Sequence, residues 1–185
     1  MNVLLTSCGL ETPAITDEFL SMLPVRPAEA RALFITAAAN NPDAIEVLPK
    51  CLNDLLKCGV PRQNITVSDL YDPMDGPLSA RWEAVYLCGG DTRCLLRRVR
   101  ESGFRERLLA FIDGGGAVLG VSAGSVIFAG NHPGNLGLLA CPLDVHCPDE
   151  TRERPGRYPL ARQEKIRLGN RQMIRVEADG FVVME

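Results

Sequence analysis

Residues 116–130 read GAVLGVSAGSVIFAG, and the architecture of the chain can be worked outward from them. An apolar run at 117–119 enters Gly120-Val121-Ser122-Ala123-Gly124, and a second apolar run follows Ser125. Gly-x-Ser-x-Gly between a buried strand and a helix is the pattern of a nucleophile elbow. Its turn is so tight that the central residue takes a strained backbone conformation, and small residues on either side let the neighbouring backbone approach. The Ser122 hydroxyl then projects from the top of a sheet. The Ala123 N–H aims at a developing oxyanion, and the helix start adds positive partial charge. Ser125, one turn into the helix, reads as a packing or local hydrogen-bonding residue. The competing reading has the glycines packing helix on sheet and Ser122 serving only as a helix cap. A P-loop is excluded because no Gly-Lys-Ser/Thr ending follows, and a dinucleotide site because Gly-x-Gly-x-x-Gly is absent.

Away from the elbow, short apolar runs alternate with amphipathic stretches. Strands are predicted at residues 2–6, 32–38, 64–70, 84–88 and 117–121, and helices at 16–23, 42–58, 93–101 and 104–112. Pro42 and Gly59 frame the second helix, and the Pro, Gly and Asp content of 71–77 marks a loop. The strands are continuous apolar runs, as expected for a parallel sheet covered on both faces. The alternation predicts a three-layer α/β/α sandwich with a mostly parallel, doubly wound, flavodoxin-like sheet. Residues 172–177 and 181–184 read as a C-terminal β-hairpin at the sheet edge. In such folds sites form beyond the carboxyl ends of strands, where GGDT (89–92) and GVSAGS (120–125) fall.

A length of 185 residues suits one sizeable core, so residues 1–185 are expected to form a single domain. With 46% hydrophobic and 23% charged residues the composition is that of a globular protein, neither disordered nor membrane-embedded. A formal net charge of −3 argues against nucleic acid or an anionic membrane as the main partner. Arg93, Arg97, Arg98 and Arg100 fall at helical spacing and read as a solvated face. The seven cysteines are odd in number, lack Cys-x-x-Cys and match no zinc spacing, which suggests reduced thiols in a cytoplasm. Leu5-Thr6-Ser7-Cys8 has the look of a lipoprotein cleavage box. No basic segment precedes it, however, and its apolar stretch falls far short of the roughly 7–15 residues a signal peptide needs.

A serine nucleophile needs a base, usually histidine, and the chain has two. His132 lies in a loop one short helix beyond Ser122, and His146 at the end of the next extended segment. A strand end beside the elbow is the better place to reach it, which favours His146. A surface role stays open for either.

Together, the elbow GVSAGS, the strand ending in GGDT and the later GLL…DVH resemble the peptidase E (aspartyl dipeptidase) family and its cyanophycinase relatives. The resemblance runs from LLTSCGL to the C-terminal strands. It implies a class I glutamine amidotransferase-like fold with serine in place of the nucleophilic cysteine. By this resemblance Ser122 is the nucleophile and His146 the base. The N–H groups of Gly89, Gly90 and Ala123 form the oxyanion hole. Where the family usually has asparagine this chain has Asp91, which with Thr92 is expected to contact substrate, for instance an amino group. The third triad member is normally acidic. Asn170 stands in its position, with Glu164, Glu177 and Asp179 as alternatives and a plain turn residue as the other reading of Asn170. Asparagine can orient the imidazole tautomer but stabilises the imidazolium less than a carboxylate does. Family members recognise an N-terminal aspartate through basic groups. Arg152, Arg154 and Arg157 follow the histidine in an expected loop over the pocket, and Arg152 is the one expected to pair with a substrate carboxylate.

The function these readings imply is a cytoplasmic serine peptidase acting on small peptides, with N-terminal aspartate the leading specificity. The alternatives are a small ester or amide hydrolase using the same site, and a catalytically silent binding or regulatory member of the fold. No metal and no organic cofactor is expected. The expected partners are small peptide substrates, with neither nucleic acid nor membrane, and a homodimer is allowed.

Overall fold

The computed structural model describes residues 1–185. Five strands form the heart of the sheet: β1 (Val3–Thr6), β2 (Ala32–Ile35), β3 (Ile65–Ser68), β4 (Ala84–Leu87) and β5 (Ala117–Val121). Between them run α1 (Pro13–Met22), α2 (Pro42–Lys57), α3 (Thr92–Glu101) and α4 (Phe104–Asp113), and the one-turn α5 (Ala123–Val126) follows β5 directly. The later chain adds β6 (Leu143–Cys147), β7 (Gly156–Pro159), β8 (Ile166–Gly169), β9 (Met173–Val176) and β10 (Gly180–Met184). Eight strands make one sheet in the order β3-β2-β4-β5-β1-β9-β10-β7, while β6 and β8 pair as a separate two-stranded ribbon. The first five strands of that order are parallel, and β9, β10 and β7 continue the sheet antiparallel.

Side chains alternate across each strand and so supply two cores. Leu5, Leu33, Val85 and Val118 meet Leu95, Val99, Leu108 and Phe111 of α3 and α4 on one face. Leu4, Phe34, Tyr86 and Leu119 meet Ile15, Phe19, Cys51 and Leu55 of α1 and α2 on the other. The result is the three-layer sandwich that the apolar runs predict. Local chemistry sets the helix starts. Thr12 accepts the Ile15 N–H at 3.2 Å with Pro13 in the first turn, so α1 begins before the predicted residue 16. Asn41 caps α2 by accepting from Ala44 N at 3.0 Å.

The stretch after His146 departs from the expected loop. It contains β7, an edge strand flanked by prolines whose alternate residues are exposed, and β8, which is paired parallel to β6. An edge position tolerates proline because one row of ladder donors is unused there. The C-terminal hairpin, β9 and β10, extends the sheet from β1, and β7 stands outside it. No helix is long and apolar enough to cross a membrane.

Candidate active site

Three parallel strands end on the same edge and deliver their following residues to one cleft of about 540 Å³: Ser7 and Cys8 after β1, Gly89 and Gly90 beyond β4, and Ser122 after β5. The opposite wall is one side of α2, including Ala44, Val47, Leu48 and Lys50.

Ser122 has φ 51° and ψ −113°, a conformation an L-residue rarely holds, and its N–H donates to Thr6 O at 2.9 Å. Two glycines let backbone segments around the site approach closely. A Cβ on Gly124 would lie 2.2 Å from the Leu87 carbonyl oxygen, so α5 rests directly on the end of β4. Gly90, at φ 134°, would place a Cβ 2.1 Å from the Ala38 carbonyl oxygen, which folds the exit of β4 over the exit of β2. Ser125 is fully buried. Its Oγ accepts the Thr6 N–H at 3.0 Å and lies 2.8 Å from Thr6 O and 2.7 Å from Gly120 O. It stitches the elbow to β1 and stays out of the cleft.

His146 also has a positive φ, 59°, at a register shift in the β6–β8 pairing between Asp144 and Cys147. A bulge of this kind re-aims a side chain, here toward Ser122. His146 Nε2 lies 3.0 Å from Ser122 Oγ, and Nδ1 lies 3.1 Å from Asn170 Oδ1. An amide oxygen only accepts, so Nδ1 carries the proton and the Nε2 lone pair is free to accept the serine O–H. Asn170 follows β8 directly, so the ribbon supplies both the imidazole and the group behind it. The backbone of His146 is held as well: its N–H donates to Ser7 Oγ at 3.2 Å, and Ser7 Oγ donates to Leu168 O at 3.0 Å. Cys8 Sγ lies 3.5 Å from Nδ1, and burial pushes this thiol up, so it faces the imidazole uncharged. Sequence reasoning missed Ser7, Cys8 and Lys50. The signal available was position alone: two of them follow a buried parallel strand on the edge that carries GGDT and the elbow.

The N–H groups of Gly89, Gly90 and Ala123 donate to no acceptor within the chain. Other expected site residues lie elsewhere. Asp91 accepts the Cys94 N–H at 2.9 Å as the cap of α3, which holds its carboxyl below the ordinary range, and neither it nor Thr92 lines the cleft. Arg152 pairs with Glu185 and, at 3.5 Å, with Asp149, outside the cleft. Arg157 lies in β7 and pairs with Glu177 and Asp179, which removes both acids from the vicinity of His146. Glu164 is exposed and faces Arg162. His132 lines a different cleft. The one lysine of the active-site cleft, Lys50, holds Glu11 at 2.7 Å, and Asp43 stands on the same helix.

Residues 3–134 match peptidase family S51, a match that ends before His146 and Asn170. Two solved structures share the fold. One is a candidate peptidase E protein from Listeria monocytogenes EGD-e, with a TM-score of 0.74 and 16% identity, aligned over 100% of this chain and 98% of that one. The other is a peptidase from an acI-B1 actinobacterium, with a TM-score of 0.66 and 15% identity over 98% of this chain and 86% of that one. No curated protein matches the chain.

Proposed function

Because the chain belongs to peptidase family S51 it is a serine peptidase, and we propose that it cleaves short peptides through an acyl-enzyme on Ser122. The observation that carries this reading is the continuous contact from Ser122 Oγ through the His146 ring to Asn170, at 3.0 and 3.1 Å. As Oγ attacks the scissile carbonyl carbon, Nε2 takes the hydroxyl proton. The oxygen of the tetrahedral intermediate receives hydrogen bonds from the free N–H groups of Gly90 and Ala123, with Gly89 adjacent. Collapse breaks the C–N bond, and the imidazolium returns the proton to the departing amine. Water, deprotonated by the same Nε2, then splits the ester and restores the serine.

Aspartate on the acyl side of the bond is the leading specificity. Lys50 is the cation available to it, with Glu11 as the competing partner. The neutral Asn170 favours a second reading, a catalytically silent binding member, because no carboxylate backs the imidazole. A fluorophosphonate probe separates the two. Stoichiometric labelling of Ser122, lost in His146→Ala, is the expected result, whereas an unlabelled but folded protein rules out the peptidase chemistry. A panel of aspartyl and non-aspartyl dipeptides beside small esters then assigns the substrate class. Turnover of esters alone would make the protein an ester hydrolase.

A further inference from the structure

On the other side of the sheet, α3, the first turn of α4 and the loop after α5 enclose a second cleft of about 500 Å³. Arg93, Arg97 and Arg100 enter it from α3 at spacings of four and three, which align them on one helix face. Arg105 of α4 and His132 complete the wall, and no carboxylate lines it. None of the four guanidiniums forms an ion pair, whereas Arg31, Arg157, Arg162 and Arg175 elsewhere each find a carboxylate. Arg98, one stripe round the same helix, is satisfied by the protein: it stacks 3.4 Å over the Tyr71 ring and meets Glu101 at 3.7 Å. Arg105 is aimed by its donation to Asn135 O at 3.3 Å. The arginine run of α3 therefore divides into one residue bound by the fold and three turned to a concavity, joined there by the Arg105 guanidinium and the His132 ring from two other segments.

Gathering four like charges in one hollow of a chain whose net charge is −3 raises a strong local positive potential. The guanidinium fork matches phosphate oxygens bidentately, and four forks exceed what a single phosphate can engage. Leu96, Val99 and Pro133 add apolar wall beside the charges. The volume is that of a small-molecule site, and the concave shape suits a compact ligand better than an extended strand. We propose that this cleft binds a small anion bearing several phosphates, such as a nucleoside triphosphate or inorganic tripolyphosphate. It is separate from the Ser122 cleft and independent of the peptidase reading.

The test is calorimetric titration of the full chain with ATP, tripolyphosphate and adenosine, without magnesium, at about 0.1 M salt, where distant surface charges are largely screened. Wild type is compared with Arg97→Gln/Arg100→Gln, both exposed positions, with circular dichroism and fluorophosphonate labelling of Ser122 reporting that fold and active site are intact. ATP and tripolyphosphate are expected to bind with micromolar affinity and adenosine not at all, and the double variant to lose roughly 10- to 100-fold. Equal affinity for the two phosphates means the phosphate chain alone is read, and tighter ATP means the apolar wall takes the base. Either result supports the site. Absence of binding by both, equal binding by the variant, or preferential binding of a short single-stranded RNA overturns it.

Discussion

Ser125 Oγ accepts the Thr6 N–H at the end of β1, and it lies within hydrogen-bond distance of two carbonyls as well. Ser125→Ala removes these fully buried hydrogen bonds, so equilibrium denaturation is expected to show a loss of about 1–3 kcal/mol. Because the elbow rests on this stitch, Ser122 labelling should weaken in parallel. Asn170 poses a different question. Its amide orients the ring but brings no charge to offset the imidazolium that the proposed mechanism forms. Asn170→Asp is therefore expected to raise kcat/KM and Asn170→Ala to lower it, by factors within the ~10²–10⁴ that general-base catalysis contributes. Identical rates in all three proteins would show that the group behind His146 is idle.

The amino ends of β2 and β4, remote from the site, are tied by one side chain. Glu83 accepts from Arg31 N at 2.7 Å, Nε at 3.1 Å and Nη2 at 2.6 Å, which fixes the register of the two strands. The Arg31 guanidinium bond holds the Glu83 carboxyl below its ordinary range. Its contribution to stability is thus present above that range and fades as pH falls through the depressed value. Glu83→Gln is expected to unfold at lower denaturant than wild type at neutral pH, with the gap closing as acidification carries the Glu83 carboxyl through its depressed range. The five parallel strands and the elbow were legible in the sequence, because short runs rich in apolar and β-branched residues alternate there with amphipathic stretches, and Gly90 and Gly124 sit where any Cβ would collide. β7 and β8 were not: GRYP and IRLG each carry an arginine and end in proline or glycine, so neither presents a continuous apolar run. Asp91 misled for a physical reason: a carboxylate beside a glycine turn looks the same in sequence whether it meets a substrate or, as here, caps a helix. The positive φ of His146 arises from the β6–β8 register shift, a tertiary feature without a local signature.

Across the molecule, the proposed nucleophile and base belong to different sheets. Ser122 and the N–H groups of Gly89, Gly90 and Ala123 stand at the edge of the eight-stranded sheet, whose central strands are buried throughout, while His146 and Asn170 are borne by the ribbon of β6 and β8. Of β6 only Leu143 is fully buried, and the strand has one neighbour. Its ties to the rest include Asn131, which exchanges two bonds with Leu143 at 2.9 and 2.8 Å, and Ser7 Oγ. Two-stranded ribbons are marginal by themselves, and segments with few buried contacts open below the global transition. On heating, turnover is expected to vanish several degrees before far-UV circular dichroism reports unfolding, and Asn131→Ala should widen that interval by lowering only the first transition. Coincident transitions in both proteins would show that the ribbon opens only with the core. Within the interval Ser122 and the N–H groups around it stay assembled while the imidazole is away, so cooling from it is expected to restore turnover by re-docking the ribbon alone, as a reversible thermal fuse would.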